Sequence, residues 1–448
     1  MNQNPLSLPG NGKVLVMTVG EGTVDRLEET IVTPFRKSFE QGEWQCIVLL
    51  PSRKTEPNAR LLQERFPQFP LQVRALRQET EEDNTDACFR HFDAVIERML
   101  EQGWQRENIT ADVTRGTKAM TAALAMAAMA HRVGQIRYIT GERDNRGMVR
   151  PGTEVIVDVP PQKALERQDV NLAAQYLRTG NYRAVEALFP GAPRRLYEGH
   201  LREEIRWLAW AAQFWGAWDR FDYKEAARLA QRNGMPANPP ATLRDLLPAA
   251  GQQVVLQVLA GRSAPDSDDN VGYCRALAAD LLANAGRRLR EGQNEEVLVR
   301  LYRVLELLGQ MRLFSHGIDS GRTDARDERV RAWLETLPPQ RRPAPNEDGF
   351  LELSRQKAAE LLHFIEEKSG NAGGLEIAGK LTNLDWLGDW GPTMRNTSVL
   401  IHGFRARSRG REAELRSLLE KLTQLYSGES DGNPALLAAC QFGFLRGL

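Results

Sequence analysis

Asp112-Val-Thr-Arg-Gly-Thr-Lys-Ala-Met120 lies between a strand-like segment, 109–113, and a helix-like run of small residues, 117–131. A glycine turn that feeds a helix N-terminus is a ready anion seat. Unsatisfied N–H groups and the positive end of the helix dipole meet at one spot. Arg115, Lys118 and the hydroxyls of Thr114 and Thr117 add donors there. The stretch therefore predicts a strand–turn–helix unit and a phosphate-bearing ligand. A threonine N-cap after a strand also occurs in folds that bind nothing, so the flanking chain must decide between the two.

Outward from that turn, residues 13–160 alternate strand-like and helix-like segments. Strands are expected at 13–19, 46–50, 71–75, 109–113, 135–140 and 154–159, and helices at 24–40, 58–66, 85–102 and 117–131. This order implies a mostly parallel sheet with helices on both faces. Ligands of such sheets sit beyond the C-terminal ends of strands, near the topological switch. Two loops qualify: Thr18-Val-Gly20-Glu-Gly22-Thr23 after the first strand, and Thr114-Arg115-Gly116-Thr117 after the fourth. Two familiar nucleotide motifs are absent. Gly20-Glu-Gly22 is followed by Thr-Val-Asp25 and does not complete a dinucleotide fingerprint, and Gly116-Thr117-Lys118 has the wrong order for a Walker A loop. ATP hydrolysis is therefore not expected.

Composition sets the outer limits. A chain of 448 residues has room for two or three domains, each with its own core. Lys+Arg and Asp+Glu are both 59, so any nucleic-acid contact must come from local basic patches rather than a global field. Cys46, Cys88, Cys274 and Cys440 form no CxxC pair, which argues against a zinc site or a disulfide framework and fits a reducing cytoplasm. The first residues carry neither a basic n-region nor a long apolar run, and the longest apolar run, 122–130, is far short of a bilayer span. No membrane partner is expected.

Beyond residue 160 the reading turns all-helical. Residues 161–262 gather Trp207, Trp210, Trp215 and Trp218, which are expected as core, the other possibility being a peptide groove. Gly180-Asn-Tyr182-Arg-Ala-Val185 is similar to Phe221-Asp-Tyr223-Lys-Glu-Ala226, suggesting two related helical hairpins. The polar stretch 263–270 reads as a boundary. Helices are then expected at 271–290, 295–313, 351–368 and 412–426, with 316–347 as a loop holding one short helix near 330–336. The expected organisation is an α/β Rossmann-like N-terminal domain (1–160) followed by all-α middle (161–265) and C-terminal (266–448) domains.

Arg395-Asn396, with His402 seven positions after the arginine, is the sharpest constellation for chemistry. On a helix, Arg395 and His402 share a face about 10 Å apart along the axis. A second copy across a two-fold axis would close that gap. RNA cleavage needs a group that moves the ribose 2′-OH proton and a cation for the transition-state charge, and no metal. His402 and Arg395 suit those parts, and Asn396 can orient either. Arg405, Arg407, Arg409 and Arg411 follow directly, either as a solvated loop or as an RNA path. Metal patterns are weaker: the histidines show no HxH or HExxH spacing. Asp348 with Glu366 and Lys368 resembles a metal-nuclease set, but 366–368 reads as the end of a helix. No Gly-x-Ser-x-Gly elbow is present.

These residues resemble a known family. The run from Asp112 to Leu124 is similar to the signature loop and helix of CARF domains, and Arg395-Asn396 with His402-Gly403 resembles the Arg-x4–6-His motif of HEPN ribonucleases. Their order resembles that of the CRISPR-associated CARF–HEPN ribonucleases that accompany type III interference complexes. The resemblance implies a homodimer whose CARF domains bind cyclic oligoadenylate and whose HEPN domains then cut single-stranded RNA, with no cofactor and no metal. It implies an activator site lined by Thr18, Gly20, Gly22, Thr23, Thr114, Arg115, Gly116, Thr117 and Lys118, and a catalytic set of Arg395, Asn396 and His402. Leu301-Tyr-Arg303-Val-Leu-Glu306 resembles an early HEPN helix whose Arg and Glu support the site. The competing class is a non-enzymatic nucleotide sensor that recruits a protein partner. A DNA-binding role is disfavoured because no winged-helix segment with a basic recognition helix is seen.

Overall fold

Alternate residues of the first strand, Lys13–Val19 (β1), enter opposite cores. Val14 and Val16 join one, and Leu15, Met17 and Val19 the other. That two-sided burial is the signature of a central strand in a sheet covered on both faces. The computed structural model describes residues 12–78, 80–142, 149–150, 153–189, 201–231, 235–261, 269–390, 400, 410–429 and 433–445. Within it, β1 lies beside Trp44–Pro51 (β2) and Ile109–Asp112 (β4). Leu71–Val73 (β3) flanks β2 and Gln135–Thr140 (β5) flanks β4, all in parallel. Val155–Val159 (β6) closes the edge antiparallel to β5, giving the order β3-β2-β1-β4-β5-β6.

Helices Thr33–Glu40 (α1) and Glu56–Arg65 (α2) cover one face, where Phe35, Phe39, Ala59 and Leu62 are buried. Thr85–Glu101 (α3) and Lys118–Ala130 (α4) cover the other. The expected helix at 24–40 is not continuous. Val24–Arg26 makes a tight 3-10 turn, Glu28–Val32 a π-turn, and only from Thr33 does the chain become α-helical.

Where β4 ends, Asp112 is almost wholly buried. Its carboxylate accepts Ser38 Oγ of α1 at 2.9 Å, Thr114 N at 3.0 Å and the Thr114 hydroxyl. Thr114 Oγ1 in turn accepts Ile139 N of β5 at 2.9 Å. One acid thus ties β4, α1 and β5 together. Burial pushes the Asp112 carboxyl above its ordinary range, against the pull of the Thr114 and Ser38 hydrogen bonds and of Arg137.

The chain separates into two compact units, Met1–Asp169 and Val170–Leu448. Of the segment 161–265, expected as a domain of its own, the described residues from Val170 onward share one continuous core with the C-terminal helices. Trp207, Trp210, Trp215 and Trp218 all sit in that core on helix Arg202–Asp219 (α7). Their indole N–H groups reach Ala237 O, Leu229 O, Leu246 O and Asp280 Oδ1. The four are packing residues, each with its one polar atom satisfied. No helix of the described residues is long and apolar enough to cross a membrane.

The two similar stretches do form the same turn, and a third joins them. Helices Pro161–Arg178 (α5) and Tyr182–Leu188 (α6) meet through Gly180 and Asn181, α7 and Tyr223–Ala230 (α8) through Phe221 and Asp222, and Asn270–Arg290 (α10) and Asn294–Ser315 (α11) through Gly292 and Gln293. Helix Ala250–Gly261 (α9) lies between the last two pairs. In each turn the first residue has positive φ and its N–H bonds back three residues, while the next bonds back five. This is the Schellman closure; Asn181 and Asp222 also cap the following helix through their side chains, while Gln293 holds the N-cap position without a side-chain cap bond. Phe221 adopts the left-handed conformation without being glycine, with the Arg300 guanidinium 5.4 Å from its ring centroid.

The C-terminal helices depart from expectation around 316–355 and again at 372–382, where a helix was not expected. Residues 316–347 were expected as a loop with one short helix; the helix forms as Glu328–Thr336 (α12), and the segment also contributes strand Thr323–Asp324 (β7), which pairs with Phe350–Leu351 (β8). The helix expected from 351 therefore begins only at Arg355 (α13, Arg355–Ser369) and is followed by Ala372–Thr382 (α14).

Two stability outcomes are expected. Gly292 has φ +70° and open space where a Cβ would go, so Gly292→Ala costs the left-handed backbone alone, about 1 kcal/mol, readable as a shifted urea midpoint at unchanged slope. Asp112→Asn keeps an acceptor for Thr114 and removes a buried charge. Because the folded-state pKa of Asp112 is raised, the stability that goes with its protonated form is lost as pH rises through that pKa. The Asn variant should gain in melting temperature on the wild type as pH rises above the ordinary carboxylate range, and its advantage should shrink as pH falls back towards that range.

Candidate ligand site and nuclease region

The parallel register Val14↔Ile109 to Met17↔Asp112 makes β1 and β4 neighbours, so the loops that leave their C-terminal ends start side by side. Both loops named from the sequence therefore flank the switch point. They touch: a Cβ on Gly20 would lie 3.2 Å from the Gly116 nitrogen. Gly116 has φ +100°, and a Cβ there would meet the Thr18 and Met120 Cβ atoms at 3.2 and 3.3 Å. Neither loop can carry a side chain at its point of contact without moving the other.

The threonines hold this geometry. Thr18 is fully buried and its hydroxyl donates to Arg115 O. Thr114 is engaged with Asp112 and Ile139, as above. Thr117 caps α4, accepting Met120 N at 3.2 Å and donating to Glu82 O. Sequence reasoning counted the hydroxyls of Thr114 and Thr117 as donors to a ligand; in the structure they are bonded within the protein and set the loop's shape. Thr23 N donates to Thr30 Oγ1 at 3.0 Å, and Gly22 sits against the same π-turn. Lys118, the first residue of α4, is exposed.

Arg115 differs from these. Its Nη1 donates to Thr30 O at 3.3 Å, and its Nε is buried without a hydrogen-bond partner among the described residues. Burial lowers its pKa from the ordinary value, and the charges of Asp112 and Glu154 oppose that. The chemical result is a partly buried cation with donor capacity left over, beside the N-terminus of α4.

Sequence reasoning missed the residues that frame these loops. Asn58 of α2 donates to the carbonyls of Gly20 and Glu21 at 3.0 and 2.8 Å, and Thr55 Oγ1 donates to Val19 O at 3.0 Å. Lys54 pairs with Glu21 at 3.2 Å. The signal was available: 52–58 follows β2, so it too leaves the C-terminal edge of the sheet.

In the second unit, Arg395, Asn396 and His402 lie outside the described residues, as do Arg405, Arg407 and Arg409. Arg303, from the stretch compared with an early HEPN helix, lies on α11, bonded to Glu306 at 2.8 Å and to Gln310 at 3.1 Å. Glu366 belongs to a different environment from the one a metal-nuclease set requires. It is fully buried on α13, with Oε1 facing Arg312 at 3.4 Å and His316 at 3.1 Å, and Oε2 accepting Asn371 at 2.8 Å. Asp348 is exposed on the turn before β8. Among the described residues no group of His, Cys, Asp and Glu has the arrangement of a metal cage.

Comparison with known proteins agrees with this arrangement. Residues 270–426 match the family described as the Csm6 HEPN domain. The chain is 25% identical over 362 residues to the CRISPR system endoribonuclease Csm6 of Thermus thermophilus, across 73% of this chain and 72% of that protein. Its fold is similar to that of Enterococcus italicus Csm6 bound to cyclic hexa-2′-fluoro-hexa-dAMP, with a TM-score of 0.54 at 12% identity, covering 96% of this chain and 98% of the other. The helices of 270–426 thus match a HEPN domain, and the chain, with a sheet unit whose β1 and β4 loops meet at glycines, is similar to CRISPR-associated ribonucleases of the CARF–HEPN type.

Proposed function

We propose that the chain is an endoribonuclease switched on by cyclic oligoadenylate, cutting single-stranded RNA in antiviral defence without a metal. The observation that carries the reading is the close approach of Gly20 to Gly116 beside Arg115, whose Nε has no hydrogen-bond partner among the described residues. Backbone N–H groups at the start of α4, the Arg115 guanidinium and the Lys118 ammonium together suit phosphodiester oxygens, while the glycines let a ring-shaped ligand approach the backbone. The bound ligand of the Enterococcus italicus protein is of this chemical class.

The proposed chemistry is transesterification within the RNA. His402 takes the proton of the ribose 2′-OH as its oxygen attacks the adjacent 3′ phosphate. The bond from phosphorus to the 5′ oxygen breaks, and that oxygen leaves with the proton that the His402 imidazolium gives back. Arg395 holds the extra negative charge of the phosphorane, and Asn396 orients one of the two. The products are a 2′,3′-cyclic phosphate and a 5′-hydroxyl. Were Arg395 and His402 on one helix they would stand about 10 Å apart along its axis, and in the proposed dimer a second protomer supplies the missing half of the cleft. The homodimer reading has its own support in the first unit. Met126 on α4 is 52% exposed, and Tyr138, Val155 and Val159, which share one face of the β5–β6 ribbon, are exposed as well.

Cleavage of labelled single-stranded RNA should rise on adding cyclic oligoadenylate and persist in EDTA. Loss of cutting in EDTA would favour the metal-dependent reading through Asp348 and Glu366, and absence of cutting with every ring size would favour a sensor that recruits a partner. His402→Ala should abolish cutting, by at least about a hundredfold, and leave activator binding intact. Lys118→Ala should raise the activator concentration needed and leave the saturated cleavage rate near that of the wild type. Met126→Glu should shift the chain towards monomer in analytical ultracentrifugation and lower activity in proportion.

A further inference from the structure

Both loops of the ligand site end on one residue that the functional reading does not use. Thr30 sits in the π-turn Glu28–Val32, which closes with Thr33 N–H on Glu28 O. In an α-helix the carbonyl of residue 30 would accept the N–H of residue 34. Residue 34 is Pro34, which has none. The Thr30 carbonyl is thereby released from the helix ladder, and Arg115 Nη1 donates to it from the loop after β4. The Thr30 side chain serves the other loop: its Oγ1 accepts Thr23 N at 3.0 Å and donates to Arg26 O at 2.7 Å. Gly22 is pressed against the same turn, where a Cβ would lie 2.5 Å from Ile31 Cγ1. Ile31 and Val32 are buried and anchor the turn in the core with β1.

We propose that Thr30 and Pro34 form a backbone latch that positions Arg115 for the activator, an inference that rests on the functional reading above. The latch works by subtraction. Proline withholds the donor that would take up the Thr30 carbonyl in an α-helix, and that carbonyl holds one arm of a guanidinium whose Nε is without a hydrogen-bond partner among the described residues. A guanidinium fixed in advance loses less rotamer entropy when a phosphate arrives. Both residues are positioning residues, since the ligand contact belongs to Arg115 itself.

The test is a calorimetric titration of the full-length protein with cyclic tetra-adenylate and cyclic hexa-adenylate. Wild type, Pro34→Ala, Arg115→Ala and the double variant are compared. Pro34→Ala returns an N–H that competes for the Thr30 carbonyl. Its dissociation constant should rise about fivefold, the factor that one ordinary hydrogen bond supplies. The RNA cleavage rate reached at saturating activator should not change, which places the effect in binding. In the Arg115→Ala background the same substitution should add nothing. Equal losses with and without Arg115, unchanged affinity, or tighter binding of Pro34→Ala would each overturn the latch. Wild-type protein that binds neither ring overturns the functional reading instead. Thr30→Val covers the case of a Pro34→Ala variant that does not fold. It keeps the carbonyl on Arg115 and removes the side-chain bonds to Thr23 N and Arg26 O, so its loss should add fully to that of Arg115→Ala, and a loss that vanishes there would overturn the division of labour.

Discussion

The contact between Gly20 and Gly116 is the constraint on which the first unit's site depends. Two parallel strands adjacent at a topological switch send their loops outward from one seam, and the distance between those loops is set by the smallest atoms that face each other. Here those atoms are a glycine Cα and a backbone nitrogen. Everything near the seam serves to keep that approach in place: Thr18 on Arg115 O, Thr114 on Asp112, Thr117 on Glu82 O, and Asn58 on the outer loop. A buried carboxylate below an anion seat is electrostatically unfavourable, yet Asp112 is the atom pair through which β4, α1 and β5 meet. The loop's order is obtained at some cost in the field it presents, and the cations Arg115 and Lys118 offset that field from above.

The second unit is organised by polar groups buried among its helices. Asp219 at the end of α7 accepts Arg287 Nε at 2.8 Å and Arg288 Nη2 at 2.5 Å, both from α10. Arg287 also donates to Cys440 O and stacks 3.9 Å over the Phe442 ring. Asp280, fully buried, accepts the Trp218 indole and the Tyr223 hydroxyl. Such a network is costly if half-made and specific when complete, because removing one member strands a buried charge. It fixes α7 and α8 against α10 and the C-terminal segment. The helices that look from sequence like a spacer are therefore part of the body that carries the matched HEPN region, and a change at Asp219 reaches both.

Legibility in the sequence follows the reach of each interaction. The βαβ order, the two loops and the helix of the opening stretch were readable because period, glycine turns and caps act over a few residues. The helix at 24–40 misled because its apolar spacing is helical throughout, while Pro34 acts on the carbonyl four residues earlier. A proline read as an N1 residue and a proline that opens a π-turn look alike until the partner of Thr30 O is known. Strands β7 and β8 pair across a loop and span two residues each, too short for alternation to register. The middle segment's membership in a larger core depends on Asp219 meeting Arg287, contacts 68 residues apart that no local pattern encodes. The threonine hydroxyls were misassigned for the same reason: donors are visible in sequence, their acceptors are not.

In the proposed reading, the choice of partner for Arg115 is what separates it from the structural arginines nearby. Arg137 of β5 is buried against Asp158 with two hydrogen bonds, and Arg132 holds Asp169 in the same way. Those guanidinium charges are already matched by a carboxylate, so an incoming anion would gain little net attraction from them. Arg115 is held instead by a neutral carbonyl, with Asp112 and Glu154 near enough to influence its charge but not in ion-pair contact among the described residues. A carbonyl orients without neutralising. It can be left behind at the cost of one ordinary hydrogen bond, which water or a rearranged turn can replace. A ligand shifts a conformational equilibrium only by its differential affinity for the two states. A cation kept in position but uncompensated reserves that difference for the arriving phosphate.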